Sequence, residues 1–199
     1  MRLPASDFVR FVELNAALET TVAQAPRRGA LLGVVEGVGE LAGRDVREAV
    51  AALPRLIGEA MAPFGWAWNG FYAPLPGDVD TAELHLSSAF GPPVCSPLVR
   101  GGGPLSSGMC FDAFALNQTL AAFDAKGWPG YVSCDAASGL GTVAGIVAPV
   151  RGPAGAPVAV WDLDSTQPIE PGDVRAMDVL FATLARCVEF AREDFVRSA

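Results

Sequence analysis

Three of the four cysteines stand in or beside stretches rich in glycine, proline and serine, where a small molecule can reach a thiol. Cys95, Cys110 and Cys134 follow one another at spacings of 15 and 24 residues. Redox chemistry needs a reachable thiolate and a second thiol that can reach it, and these residues could supply both. The alternative is that each is a small buried hydrophobic side chain. Cys187, near the apolar stripe of the final helix, is interpreted in that way.

A metal site is not expected from these residues. Structural zinc sites usually use four cysteine or histidine ligands in closely spaced pairs. The chain has no CxxC pair, and its single histidine, His85, falls in the middle of a strand pattern. The cysteines therefore predict thiol chemistry or core packing rather than metal binding.

The segment WDLDS at 161–165 places two carboxylates at the end of a predicted strand. Because residues two apart in a strand share a face, Asp162 and Asp164 point the same way. Two like charges on one face tend to raise the pKa of one of them, and a protonated carboxyl can act as an acid or a hydrogen-bond donor. The alternative is that both lie at an exposed strand end and cap the following turn.

Apolar periodicity predicts the elements that position these side chains. Helices are expected over 6–24, 30–41, 45–61, 107–117 and 171–195, and strands over 65–75, 82–90, 119–123, 144–150 and 158–163. The first two strands form a hairpin around the turn at 76–78. Pro54 predicts a kink or an early break in its helix. The order of elements predicts the α+β class, with an antiparallel sheet flanked by helices and long loops around the cysteines.

The charge balance excludes several classes of partner. The net charge is −8, only 14 residues are Lys or Arg, and the longest basic run is Arg27-Arg28. Binding to nucleic acid needs clustered cations. Glycine or a charge interrupts every apolar run before the roughly 18 residues that a membrane span needs, and no secretory signal is visible. We therefore expect a cytoplasmic protein with mostly reduced cysteines and no nucleic-acid or membrane partner.

Segments spread along the chain together resemble the free methionine-(R)-sulfoxide reductases, a branch of the GAF-domain family. They are WNGFY at 68–72, PVC at 93–95, SGMC at 107–110 with Asn117-Gln118, GYVSCDAAS at 130–138, and LDS at 163–165 with Asp162. The resemblance covers roughly residues 45–195. It implies a GAF-like domain over 45–199 behind an N-terminal helical extension over 1–44. Its central antiparallel sheet would carry flanking helices, a long C-terminal helix and a ligand pocket under the loops.

The resemblance also implies a reaction, the reduction of free methionine-(R)-sulfoxide or a related small sulfoxide to the thioether. Cys134 would attack the sulfoxide sulfur, with Cys110 as the less favoured attacker, and become a sulfenic acid. Cys95 and Cys110 would resolve it as a disulfide. Asp162 and Asp164 would bind the sulfoxide end or protonate its oxygen. No bound cofactor or metal is implied, and a thioredoxin-type protein would reset the cysteines.

The substrate-contacting residues implied by the resemblance are Trp68, Tyr72, Asp135 and Ser138, with Trp68 and Tyr72 around the S-methyl group. The chain departs from the family at Gly145, where the family carries a glutamate. This departure keeps open an alternative function, a non-catalytic GAF sensor or binding module for a small molecule. The resemblance also suggests a homodimer through terminal helices, although the apolar stripe of residues 174–188 could equally pack on the domain's own sheet.

Overall fold

The computed structural model describes residues 27, 29–31, 33–34, 37–38, 45–101, 108–128 and 139–196, without the side chains of residues 183, 186 and 187. The helix predicted over 6–24 lies outside these residues. The described residues from 27 to 38 are helical, in agreement with the helix predicted over 30–41. Leu31, Val34 and Val38 from this stretch are buried in the same core as the sheet. The domain boundary at residue 44 stays a prediction.

The described strands form one antiparallel sheet of six strands in the order β3-β2-β1-β6-β5-β4. Their bounds are β1 Trp66–Ala73, β2 Glu83–Phe90, β3 Leu98–Val99, β4 Leu120–Ala122, β5 Ala144–Arg151 and β6 Pro157–Ser165. The predicted hairpin is β1 with β2, and the two later apolar strands pair as β5 with β6. Pairing of β1 with β6 joins these hairpins at the centre of the sheet. The sequence did not predict β3, which lies in a proline- and glycine-rich segment.

The helices of the described residues beyond position 45 lie on both faces of this sheet. They are α1 (Val46–Met61), α2 (Gly108–Leu116) and α3 (Pro171–Cys187), with short 3-10 helices at Ala62–Phe64, Ala125–Gly127 and Arg192–Phe195. α1 and α3 pack on one face, whereas α2 packs on the other over β5 and β6. In the described part of the chain, no helix combines the length and apolarity that crossing a membrane requires. The arrangement confirms the α+β prediction.

A kink or an early break was predicted at Pro54, and the early break is wrong, because α1 continues through the proline to Met61. A proline has no backbone N–H, so the carbonyl four residues earlier loses its helical partner. In α1 that carbonyl belongs to Val50, and the hydroxyl of Ser88 in β2 donates a hydrogen bond to it at 2.7 Å. This bond from the sheet compensates for the proline and fastens α1 over β2.

The main core lies between the sheet and the two helices α1 and α3. Trp161 is fully buried there and packs on Phe181 of α3 with ring centroids 5.2 Å apart. The apolar stripe of residues 174–188 packs into this core through Met177, Leu180, Phe181, Leu184 and Val188. The homodimer therefore stays a prediction, and this stripe packs within the chain.

The C-terminal helix is shorter than predicted. It ends at Cys187 rather than near residue 195, and the chain continues through Val188 in an extended conformation. This turn returns Phe190 and Phe195 to the core, where their ring centroids are 5.9 Å apart. Burial of two phenylalanine side chains stabilises the fold by a few kcal/mol, about 1.5–3 for each.

A bulge in β1 separates two tryptophans that an ideal strand would place on one face. The pairing of β1 with β6 shifts register between Trp66 and Trp68. Trp66 therefore packs in the main core, whereas Trp68 joins Tyr72 on the opposite face, with ring centroids 6.0 Å apart. The bulge thus supplies the second face of the sheet with an aromatic wall.

Asn69 is a fully buried amide that ties α1 to the centre of the sheet. Its Nδ2 donates to the carbonyl of Pro54 at 2.9 Å, and its Oδ1 accepts from Nε1 of Trp161 at 3.0 Å. Replacement by leucine keeps the size of the side chain but leaves both partners unsatisfied. Each buried group that loses its partner costs about 1–3 kcal/mol.

We therefore expect Asn69→Leu to lower the free energy of unfolding by about 2–4 kcal/mol. Urea unfolding followed by tryptophan fluorescence measures this change. Gln118→Ala, at an exposed position, is the control and should shift the free energy by no more than about 0.5 kcal/mol. An Asn69→Leu protein as stable as the control would show that the amide bridge contributes little.

Candidate functional site

A cavity of about 320 Å³ opens between the second face of the sheet, α2 and the segment that follows β2. This volume is at the small end of ligand pockets, and it suits a molecule of amino-acid size. Its apolar lining includes Val94, Pro97, Leu98 and Met109. Its polar lining includes Asp162 and Asp164 on the sheet and Cys110 on α2.

Six of the nine predicted site residues line this one cavity, namely Trp68, Tyr72, Cys95, Cys110, Asp162 and Asp164. They come from β1, the loop after β2, α2 and β6, and are spread over almost a hundred residues of sequence. The other three, Cys134, Asp135 and Ser138, lie outside the described residues. Cys187 lies at the end of α3, and its side chain is also outside the described part.

The two aspartates form the floor of the cavity, as the two-residue spacing predicts. Asp162 is paired with Gly70 in β1, and Asp164 is paired with Gly145 in β5. A glycine beside each carboxylate leaves the space above the sheet open to a ligand. A Cβ at Gly70 would lie 2.9 Å from Cη2 of Trp68, so that glycine lets the indole lie over the strand. The alternative, in which both aspartates cap an exposed turn, is not what the fold shows.

Gly145 also has a steric reason to lack a side chain. A Cβ at this position would lie 2.9 Å from the backbone carbonyl of Leu163, closer than Cβ atoms normally approach another atom. The neighbouring strand β6 would have to move to admit any larger residue. The floor of the cavity thus carries carboxylates on β6 and none on the adjoining position of β5.

Asp162 accepts a hydrogen bond from the thiol of Cys110, with Sγ 3.2 Å from Oδ2. Burial raises the pKa of Asp162 to about 6, while the hydrogen bonds from Cys110 and from the Leu163 backbone act in the opposite direction. The sequence predicted a raised pKa through repulsion between the two aspartates. The direction agrees, but the cause is the removal of the carboxylate from water.

Cys110 is a buried free thiol, with 7% of the residue exposed. Burial first, and then the negative charge of Asp162, raise the pKa of the Cys110 thiol well above its usual range. A thiol of this kind remains protonated at neutral pH, whereas an attacking cysteine must be a thiolate. These properties disfavour Cys110 as the nucleophile.

Cys95 differs from Cys110, because it is disulfide-bonded and only partly buried. Its partner is not Cys110, which is a free thiol. The hydroxyl of Tyr72 donates to the carbonyl of Cys95 at 2.7 Å and holds this loop against the sheet. Burial, together with the charges of the pocket carboxylates and of Cys110, raises the pKa of Tyr72, so its hydroxyl stays protonated.

Sequence reasoning missed the apolar wall of the cavity and the contribution of α2 beyond its cysteine. Leu98 and Val99 line the cavity because β3 adds to the edge of β2, a pairing of only two residues. Such a short pairing leaves no periodic signal. Among the described residues, no group of three or more histidine, cysteine or acidic side chains is arranged to hold a metal ion.

Comparison with solved structures finds neighbours with this architecture. The free methionine-R-sulfoxide reductase from Neisseria meningitidis, solved in complex with its substrate, has a TM-score of 0.63 at 24% identity, over 88% of this chain and 93% of that one. A type II free methionine-R-sulfoxide reductase from Thermoplasma acidophilum has a TM-score of 0.58 at 25% identity, over 76% and 99%. A GAF domain structure has a TM-score of 0.68 at 19% identity, over 88% and 97%.

No protein-family model and no curated protein matches the chain. The structural likeness spans nearly the whole length of each neighbour. At these identities it establishes the fold. The chain has the fold of a GAF domain, and free methionine-R-sulfoxide reductases are among its structural neighbours.

Proposed function

We propose that this protein reduces a small sulfoxide, free methionine-(R)-sulfoxide or a close relative, to the thioether through a thiol–disulfide cycle. The observation that carries the proposal is the set of residues that line one small cavity. Its lining includes both the disulfide-bonded Cys95 and Asp162, a carboxyl group whose pKa burial raises to about 6. Sulfoxide reduction needs a cysteine pair that can be oxidised and a proton donor for the oxygen.

Cys134 is the proposed nucleophile. Its thiolate attacks the sulfoxide sulfur, and the oxygen takes a proton from Asp162 as its bond to sulfur breaks. Transfer of that oxygen to Sγ of Cys134 breaks the bond formed between Sγ and the substrate sulfur, releases the thioether and leaves Cys134 as a sulfenic acid. The substrate is thereby reduced, and the cysteine is oxidised, by two electrons.

Cys95 is the proposed resolving thiol. Its sulfur attacks the sulfenic sulfur of Cys134, which forms a disulfide and releases water. A thioredoxin-type dithiol then supplies two electrons and two protons and restores both thiols. No bound cofactor is required. The disulfide at Cys95 and the free thiol at Cys110 support this assignment of Cys95.

An aromatic wall and a second carboxyl group in the cavity could contact the substrate. The fused rings of Trp68 and the ring of Tyr72 form one wall, where a methyl group on sulfur would be removed from water. Asp164 faces the same volume from the neighbouring position on the sheet. Asp135 and Ser138 are proposed to contact the substrate from the segment that carries Cys134.

The test is a coupled assay with thioredoxin, thioredoxin reductase and NADPH. We expect one NADPH to be oxidised for each methionine formed from free methionine-(R)-sulfoxide, with the (S) epimer as the control substrate that is not reduced. Dimethyl sulfoxide and N-acetylmethionine sulfoxide extend the test to related sulfoxides. If none of these compounds is reduced faster than by a Cys134→Ser protein, the proposal is wrong.

A non-catalytic binding module is the second candidate function, and Gly145 favours it. The position paired with Asp164 has no side chain, so β5 offers no carboxylate to a ligand. This candidate predicts that calorimetry detects binding of methionine sulfoxide which survives both Cys95→Ser and Cys134→Ser, without NADPH oxidation. Turnover that depends on the cysteines excludes it.

A further inference from the structure

The contact between Cys110 and Asp162 joins α2 to the cavity floor. The thiol lies in the first turn of α2 and donates to Oδ2 of Asp162 at 3.2 Å. Both residues line the cavity, yet Cys110 is almost completely buried. A buried sulfur that already donates to a carboxylate is poorly placed to exchange with a disulfide or to meet a reductant protein.

The carboxyl group of Asp162 accepts hydrogen bonds from the thiol of Cys110 and from the backbone N–H of Leu163. Its cross-strand neighbours, Gly70 and Val147, have no polar side chain. The nearby hydroxyl of Tyr72 is committed to the carbonyl of Cys95, and Asp164 on the same strand carries a like charge. Asp112 of α2, two residues after Cys110, accepts from Nε1 of Trp128 at 3.2 Å.

We infer that Cys110 is a positioning residue rather than a resolving thiol, and that its S–H fixes the carboxyl group of Asp162. The bond engages Oδ2 of Asp162. The catalytic meaning of this role rests on the proposed function. The hydrogen bond between Cys110 and Asp162 does not depend on the proposed function, and it can be measured in a protein that shows no turnover.

Removing the donor has a defined electrostatic consequence. The hydrogen bond from Cys110 lowers the pKa of Asp162 against the larger effect of burial. Without the thiol, the pKa of Asp162 therefore rises above its wild-type value of about 6. Serine in place of cysteine keeps a donor at the same position and should return the pKa to the wild-type value or below. A merely structural thiol would make no distinction between alanine and serine.

The test is a titration of the Asp162 carboxyl group by carbon-13 NMR in wild type, Cys110→Ala and Cys110→Ser. Asp162→Asn identifies the resonance, and urea unfolding shows that each variant is folded. We expect the midpoint to move upward by at least half a pH unit in Cys110→Ala and to return in Cys110→Ser. An unchanged midpoint in Cys110→Ala would overturn the inference.

The coupled assay distinguishes the two roles of Cys110. A positioning role predicts a roughly tenfold lower kcat in Cys110→Ala with little change in KM, and recovery to within about threefold in Cys110→Ser. A resolving role predicts that both variants stop after one turnover, and that result would overturn the inference. If no variant and no wild-type protein shows turnover, the proposed function fails, while the NMR result still decides the contact.

Discussion

Cys134→Ser is expected to lower kcat/KM for methionine sulfoxide at least a thousandfold. A serine hydroxyl is scarcely ionised at neutral pH, so it cannot replace the thiolate that attacks the sulfoxide sulfur. The coupled assay, with methionine quantified by chromatography, measures the loss. Cys187→Ser makes the same chemical change at the end of α3 and should retain wild-type activity.

Cys95→Ser gives a different expected result, which separates attack from resolution. This variant still forms the sulfenic acid, so a single equivalent of methionine appears for each chain before the reaction stops. Trapping with dimedone then labels Cys134. If Cys134→Ser keeps more than about a tenth of the activity, or if Cys95→Ser cycles normally, the roles of the two cysteines are assigned incorrectly.

Asp162→Asn is expected to lower kcat/KM about a hundredfold near pH 6, because an asparagine amide cannot deliver a proton to the leaving oxygen. The wild-type profile should fall as pH rises through about 6, where Asp162 ionises. The variant should lack this limb. Asp178→Asn in α3 is the control, since Asp178 accepts from Thr119 at 2.6 Å outside the cavity.

The stability of the same variant relative to wild type should rise as the pH is raised. Burial raises the pKa of Asp162 in the folded protein from an ordinary 3.8 to about 6. The protonated carboxyl therefore favours the fold below pH 4, and this contribution is lost as pH rises through about 6. Asparagine does not ionise, so it does not suffer this loss. The free energy of unfolding of the variant minus that of wild type should therefore be up to about 3 kcal/mol larger at pH 8 than at pH 4. Equal pH dependence in the two proteins would contradict the raised pKa.

The sheet could be predicted from sequence because its signals are local. Alternating residues around the turn at 76–78 and two apolar runs around 151–157 define the hairpins that the fold contains. The errors came from contacts between distant segments. Pro54 is tolerated because Ser88 satisfies Val50, and the last helix ends at Cys187 because Phe190 and Phe195 return to the core.

The sequence predicted which residues line the cavity better than it predicted their pKa values and oxidation states. Spacing placed Asp162 and Asp164 on one face, but only the fold shows that burial controls the pKa of Asp162. The different states of Cys95 and Cys110 have no sequence signal either. Cys95 lies in a partly exposed loop and forms a disulfide, whereas Cys110 is buried in the first turn of α2 against a carboxyl group.

Gly145 shows the limit of a motif comparison. The sequence shows only that a family glutamate is missing there, which puts the substrate rather than the fold in question. The structure adds that the carbonyl of Leu163 leaves little room for a Cβ. The absence of the carboxylate is therefore built into the packing of β5 against β6.

In the proposed reaction, a sulfoxide bound in this cavity oxidises two cysteines of the protein to a disulfide and is itself reduced to the thioether. The most direct test is to treat the fully reduced protein with one equivalent of free methionine-(R)-sulfoxide and to map its cysteines by mass spectrometry. The account predicts one methionine for each chain, a disulfide between Cys95 and Cys134, and Cys110 still alkylated as a free thiol after unfolding. A protein that releases no methionine and keeps every cysteine reduced would contradict it.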